Sequence, residues 1–391
     1  MTPVPVPAGS PYGRDNLPYG VFSAPGREPR VGVRVGDSVL DLAAALGDDR
    51  FAQPSLGGLL ARGRAAWAET RRRVRAVVDG DPPAYAVLPL DAVRLHLPFA
   101  VGDYVDFYCS EHHATILGRI LRPGQEPLPP NWKHLPVGYH GRSGTVVVSG
   151  TDVRRPCGQR RGDDGPVFGP STRLDLEAEL GFVVGTGSPL GSRVRTGDFD
   201  DHVFGVVLLN DWSARDIQAW EYVPLGPHLG KSFATSVSAW VVPMAALAEA
   251  RVPTPPQDEQ LPYLAMDEPW GLDVELRVVW NGEEVSRPPY RETYWSPAQM
   301  LAHLTVAGAS TRPGDLFASG TVSGPGTRER GSLIELTWDG AQPVQVAGEW
   351  RTFLEDGDEV VLTATAPGPR GSRIGFGECR GRILPALPLE P

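Results

Sequence analysis

Three carboxylates at alternate positions are the first feature of this sequence able to do chemistry. In L-D-L-E-A-E-L, residues 174–180, a period of two places Leu174, Leu176, Ala178 and Leu180 on one face of a strand and Asp175, Glu177 and Glu179 on the other. Such an acidic face is either the wetted side of an edge strand or half of a cation site. Leu, Glu and Ala also suit a helix. The run that follows, G-F-V-V-G over 181–185, is β-branched, aromatic and closed by glycine, which favours the strand.

Residues 101–115, V-G-D-Y-V-D-F-Y-C-S-E-H-H-A-T, gather Asp103, Asp106, Glu111, His112 and His113 beside Tyr104 and Tyr108. Adjacent histidines suggest a transition metal, yet neither an H-x-x-x-H nor a C-x-x-C spacing accompanies them. A satisfied interior histidine is the alternative. Residues 204–222, F-G-V-V-L-L-N-D-W-S-A-R-D-I-Q-A-W-E-Y, read as a buried strand ending at Asn210 and Asp211. A helix then starts, with Ser213 as cap and Asp216 at the capping-box position. Arg215, Gln218 and Tyr222 follow at i, i+3 and i+7 and share one helix face. A guanidinium, an amide and a phenol beside a strand-end carboxylate suit binding of a carboxylate or an oxyanion.

G-P-H-L-G-K-S-F, residues 226–233, imitates a nucleotide-binding P-loop but puts only three residues between its glycines. It also runs into a strand-like F-A-T-S-V-S-A-W-V-V where that motif needs a helix. Lys231 is left to balance the acidic residues. In G-S-L-I-E-L-T-W, residues 331–338, Glu335 sits on a strand opposite Ile334, Leu336 and Trp338, placed to orient a histidine as hydrolytic triads do.

The elements that must position these residues are mostly short strands. Gly and Pro number 46 and 40 among 391 residues, well above a usual combined share of roughly 12%. The segments between them are apolar and periodic, so the chain reads as strands joined by tight turns. Strand-like runs fill 19–42, and a helix is expected over 55–78, its four C-terminal arginines suited to the helix dipole. A strand at 93–99 follows. The boundary placed there gives a small β-rich unit with a helical insert over 1–97 and a large strand-dominated unit over 98–391. The second unit contains one clear helix, from Ser296 to about Ala307, with Ser296 as cap, Pro297 in the first turn, Gln299 completing a capping box and Gly308 ending it.

A formal charge of −10 argues against a nucleic-acid partner and is compatible with a cation site. Cys109, Cys157 and Cys379 are widely spaced, which excludes a disulfide framework or a Cys-rich zinc site and fits a reducing cytoplasm. The start, M-T-P-V-P-V-P-A-G-S, lacks the basic and apolar regions of a signal peptide. No apolar segment reaches the roughly 18 residues of a membrane helix, so a soluble protein is expected.

Taken together, D-Y-V-D-F-Y, P-N-W-K-H-L-P-V-G-Y-H-G-R, L-D-L-E-A-E-L, N-D-W-S-A-R-D-I-Q-A-W-E-Y-V-P-L-G-P-H-L-G-K-S-F, R-P-G-D-L-F-A-S-G-T-V-S-G and F-L-E-D-G-D-E-V resemble signatures of the fumarylacetoacetase family, in its order, across most of 99–391. The resemblance implies a mainly β, α+β chain with an SH3-like barrel ahead of a large β-roll catalytic domain. It also implies a homodimer that hydrolyses 4-fumarylacetoacetate to fumarate and acetoacetate at the end of tyrosine and phenylalanine breakdown.

The family pattern assigns a cation to Asp106, Glu177, Glu179 and Asp211, hard oxygen ligands that suit Ca²⁺ or Mg²⁺. A second position would use Asp211, Thr235 and Lys231, the last through its backbone carbonyl. No organic cofactor is implied. His113 would be the general base that activates water, held by Glu335, while His112 departs from the pattern. Arg215, Gln218 and Lys231 would stabilise the alkoxide, and the metal the acetoacetate enolate. Tyr108, Arg122, Tyr139, Gln218, Tyr222 and Thr321 match substrate-binding positions. Asp175 has no metal role in the pattern and is expected to be structural. Two rival readings are hydrolysis or decarboxylation of acylpyruvates at the same metal, and a non-catalytic calcium-binding module. His113, Glu335 and Lys231 beside the carboxylates argue against the module.

Overall fold

A computed structural model of the chain describes residues 4–388. Its largest sheet has 13 strands. Along the main path these run Val87–Pro89, Ser38–Asp41, Arg30–Val35, Tyr19–Ser23, Trp240–Pro243, Val203–Asp211, Ala178–Val184, Leu316–Ala318, Tyr104–Phe107 and Gly138–His140. The V-F-G-V-V-L-L-N-D strand is apolar without alternation, and it is buried along its whole length at the centre of this path. A second sheet of five strands orders Glu283–Ser286, Glu275–Trp280, Glu359–Pro367, Arg373–Leu384 and Val153–Arg154. Burial alternates along Glu359–Pro367, as a strand with one face on the core requires. Phe182 and Phe317 stack at 5.3 Å in the main core, on the two strands that lead toward the acidic residues.

The mainly β, α+β class holds, but the N-terminal strands do not form the expected SH3-like barrel. Tyr19 and Gly20 pair with Val241 and Trp240, so these strands extend the large sheet, and no sheet among the described residues closes on itself. Gly20 permits the junction, because a Cβ there would lie 2.7 Å from the Ala239 carbonyl oxygen and from the Trp240 ring.

The expected helix over 55–78 is two helices, Gly57–Leu60 and Gly63–Asp79. Gly63, the first residue of the second, breaks the path between them with a left-handed φ of +77°. Its arginines do not serve the helix dipole, since none is in the last turn. Arg71 instead donates to the carbonyls of Asp15 and Asn16, and Arg73 and Arg75 pair with Asp48 and Asp15. The Pro297–Thr305 helix has the full capping box expected of Ser296 and Gln299. No helix among the described residues is long and apolar enough to cross a membrane.

Candidate active site and metal centre

Asp106, Glu177, Glu179 and Asp211 converge where strands of the large sheet end. Asp106 lies on Tyr104–Phe107, Glu179 on Ala178–Val184, and Asp211 closes Val203–Asp211. Glu177 is off the strand, because L-D-L-E-A-E-L breaks into Leu174–Asp175 and Ala178–Val184. Its amide donates to the Asn210 side-chain oxygen at 3.1 Å and its carbonyl accepts from the Asp211 amide at 3.2 Å. Each of the four carboxylates brings an oxygen within 4.8 Å of the others, and all four are buried. The acidic face is therefore not the wetted side of an edge strand.

Both Glu179 oxygens and Asp106 Oδ1 are buried without a hydrogen-bond partner. Such oxygens are seldom left bare, and a hard cation is what four converging carboxylates can complete. Burial pushes the Asp106 and Glu179 carboxyls well above their ordinary range, with Asp211 adding to the first and Asp106 to the second. A bound cation would reverse that shift.

Two basic side chains offset part of the charge. Lys231 Nζ donates to Glu177 Oε2 at 2.5 Å and to Asp211 Oδ2 at 2.8 Å. It is thus the ammonium of Lys231 that faces the cluster. Arg215 Nη2 lies 2.7 Å from Glu177 Oε1. Burial disfavours both cations, but Asp211 and Glu177 around Lys231, and Glu177 and Asp175 around Arg215, hold them protonated. Burial likewise opposes the Glu177 charge, yet Lys231 and Arg215 outweigh it and hold this carboxyl below its usual range. With all four carboxylates ionised, two cations leave two negative charges, the charge a divalent ion would neutralise. Thr235 Oγ1 and Tyr139 Oη donate to the two Asp211 oxygens at 3.2 and 2.8 Å.

The histidine stretch turns from strand to helix. Ser110 caps Glu111–Leu121, its Oγ accepting from the His113 amide at 3.3 Å. Helical geometry separates the two histidines: the His113 side chain is 2% exposed, whereas His112 is 36% exposed and has Glu292 3.9 Å away. Glu335 is not on a strand either, because Leu333–Leu336 forms a single helical turn. Its Oε2 accepts from Ser323 Oγ at 3.0 Å and Ser332 Oγ at 2.7 Å. The same oxygen approaches His113 Nδ1 to 2.8 Å, off the axis of a straight hydrogen bond. Tyr108 packs edge-on to the imidazole, ring centroids 5.3 Å apart. A carboxylate at Nδ1 favours the tautomer that leaves Nε2 unprotonated and able to accept a proton.

Comparison with known proteins agrees with this geometry. The profile described as fumarylacetoacetase N-terminal matches residues 15–98, and that described as fumarylacetoacetate (FAA) hydrolase C-terminal matches 104–384. The fumarylacetoacetase of Homo sapiens is 46% identical over 417 residues, covering 99% of this chain and 99% of its own. That of Caenorhabditis elegans is 47% identical over 413 residues, covering 98% and 99%. The chain belongs to the fumarylacetoacetase family. Among solved structures, a fumarylacetoacetate hydrolase from psychrophilic Exiguobacterium antarcticum shares the fold, with a TM-score of 0.60 at 18% identity over 95% of this chain and 100% of that one.

The other residues singled out by the fumarylacetoacetase resemblance are placed unevenly. Gln218 Oε1 accepts from Arg215 Nη1 at 3.2 Å on the Arg215–Glu221 helix. Gly230 lets the Lys231 loop pack on that helix, since a Cβ there would lie 2.8 Å from Gln218 backbone. Thr321 is buried and its hydroxyl has no hydrogen-bond partner. Arg122 ends the Glu111–Leu121 helix and donates to the Pro127 carbonyl at 2.8 Å. Tyr222 borders a cavity of about 640 Å³ with Arg160, Arg161, Arg173 and Trp220.

Ser213 is not the helix cap. It pairs with Asp175 in a short ladder, Ala214 precedes the helix without a side-chain cap, and Asp216 accepts from Ser171 and Thr172 instead of closing a capping box. Sequence reasoning gave no role to Asn210, Ser323 and Ser332, which hold Glu177 and Glu335. Isolated polar residues beside apolar runs look like ordinary turn residues, and only the fold shows what they touch.

Proposed function

We propose that this chain hydrolyses a carbon–carbon bond of 4-fumarylacetoacetate to give fumarate and acetoacetate, the last step of tyrosine and phenylalanine breakdown. One observation carries the reading. The His113–Glu335 pair is linked to the four-carboxylate cluster through the Glu177–Ser332 bridge, in a chain 46% identical to a fumarylacetoacetase over 99% of its length.

Asp106, Glu177, Glu179 and Asp211 would hold Ca²⁺ or Mg²⁺, with Lys231 and Thr235 fixing Asp211 beside it. The ion would supply Lewis-acid stabilisation for the negative charge of the acetoacetate half. His113, its Nδ1 held by Glu335, takes a proton from water at Nε2, and the hydroxide adds to the carbonyl next to the fumaryl group. Arg215, Gln218 and Lys231 meet the resulting oxyanion. As the carbonyl re-forms, the carbon–carbon bond breaks and the acetoacetate carbanion leaves as its enolate, which takes back the proton from His113. Tyr108, Arg122, Tyr139, Tyr222 and Thr321 bind and orient the diketo acid. The substrate's own β-carbonyl is the electron sink, so no organic cofactor is needed.

The division at 97/98 into two domains belongs to the same proposal; it lies one residue short of the end of the first profile match, 15–98, and the second match begins at 104. So do a homodimer, tested by sedimentation, and residence in a reducing cytoplasm, consistent with three free cysteines. The deciding assay follows loss of the diketo-acid absorbance together with acetoacetate release in Mg²⁺ or Ca²⁺. Turnover faster than that of simple acylpyruvates is expected. No turnover in either cation overturns the reading.

A further inference from the structure

The geometry points to Asp175 as a positioning residue that ties the helical turn carrying Glu335 to the Arg215 guanidinium, so that the base and the oxyanion donor are set as one unit. This inference rests on the hydrolytic reading above. Asp175 is fully buried, and each oxygen accepts twice. Oδ1 takes the amides of Leu176 and Leu333, both at 2.7 Å. Oδ2 takes the Ile334 amide at 3.0 Å and Arg215 Nε at 2.8 Å. Four donors and no acceptor surround it, an environment that only the ionised carboxylate completes.

Each side of this carboxylate controls a different part of the site. Leu333–Leu336 is one turn long, too short to be stable on its own. The residue before it, Ser332, gives it no side-chain cap and spends its hydroxyl on Glu335. The two leading amides are instead capped by Asp175, 158 residues earlier in the chain. The angle at which Glu335 meets His113 Nδ1 is therefore set by where Asp175 stands. On the other side, the Asp175 bond to Nε fixes the plane of the Arg215 guanidinium, leaving Nη1 toward Gln218 and Nη2 toward Glu177. Arginine presents its donors as a rigid fork, so holding one edge aims the other. One carboxylate thus positions both groups without itself touching substrate.

The test is a double-mutant cycle on the full-length protein. Asp175→Asn keeps the volume but turns an NH₂ toward donors, and should lower kcat by about 10- to 100-fold, the usual effect of losing a partner that orients an active-site group, with KM within about threefold. Because part of its effect passes through Glu335 and part through Arg215, Asp175→Asn should lower kcat clearly less in the Glu335→Gln background than in wild type, and by no more than about twofold once Arg215→Lys is added to Glu335→Gln. A merely structural role would multiply the two losses. Divalent-cation stoichiometry by calorimetry should stay at the wild-type value. Full multiplicativity of the two losses, or an unchanged kcat in Asp175→Asn, overturns the proposal.

If Asp175→Asn does not fold, Arg215→Lys replaces it, with amide hydrogen exchange as the readout. Losing the Nε partner should speed exchange at Leu333 and Ile334 at least tenfold, and unchanged exchange overturns the proposal. That measurement needs no substrate. An inactive wild type would therefore sink the hydrolytic reading while leaving the Asp175 link open to its own test.

Discussion

Replacing Glu179 by glutamine separates the ion from the fold. The Glu179 carboxylate has no hydrogen-bond partner and faces Asp106, with the cluster's oxygens no more than 4.8 Å apart. Two unit charges at that distance, with an effective dielectric of about 20, repel by about 3.5 kcal/mol. Burial already pushes both carboxyls up, and this repulsion adds to it, so cation-free protein relieves part of the strain by taking up protons. Glu179→Gln removes one charge and breaks no contact, so the cation-free variant should be as stable as wild type or more stable.

With a divalent cation the order reverses. Binding at about 100-fold over Kd stabilises wild type by about 2.7 kcal/mol. Over 391 residues the unfolding entropy is about 0.8 kcal/mol per kelvin, so Tm should rise by about 3 °C. The variant, lacking a charged ligand, should rise by less than about 1 °C at the same concentration. Scanning calorimetry in EDTA and in Mg²⁺ or Ca²⁺ measures both. The reasoning fails if Glu179→Gln keeps the full cation-induced shift, if wild type shows none, or if the cation-free variant is clearly the less stable protein.

Three further outcomes follow from the same geometry. Asp106 and Glu179 bind protons more tightly folded than unfolded, so cation-free protein should lose stability as pH rises from the ordinary carboxylate range through their raised values. Urea midpoints in EDTA from about pH 5 to about pH 8 should fall, and saturating cation should flatten that slope. His113→Ala should cut kcat by about 10²- to 10⁴-fold with cation binding intact, and a variant at full rate removes His113 as the base. Lys231→Met strips a buried ammonium from Glu177 and Asp211 and should destabilise the cation-free protein by about 3–5 kcal/mol. A denaturant midpoint equal to that of wild type would show that these carboxylates do not need its charge.

The acidic cluster shows how far local pattern reaches. Alternation in L-D-L-E-A-E-L correctly puts Leu174, Leu176, Ala178 and Leu180 into the core. It cannot tell a wetted acidic face from a buried one, because that depends on which distant strands cover it. Asp106 and Asp211, 105 residues apart in sequence, cover it here. Glu335 makes the same point more sharply. Its L-I-E-L-T-W surroundings favour a strand, yet Asp175 caps the Leu333 and Ile334 amides and turns the segment into helix. A tertiary hydrogen bond outweighed local propensity, as it can when propensities differ by less than about 1 kcal/mol per residue.

The barrel expected at the N-terminus failed for a related reason. Strand propensity says which residues extend but not which edges they pair, and Gly20 lets Tyr19–Ser23 join Trp240–Pro243. Residue order alone was enough for the local signals: carboxylates able to ligate a hard cation, a pair of candidate histidines, the Ser296 capping box, and motifs specific enough to point to a family. What only the tertiary structure decided was which charge meets which. Asp175 bridges Arg215 and the Glu335 turn, Lys231 points its ammonium at Glu177, and His113 is the buried histidine of the pair. Residue types set what a group can do, whereas burial and contacts between distant segments, which local pattern does not encode, set what it does.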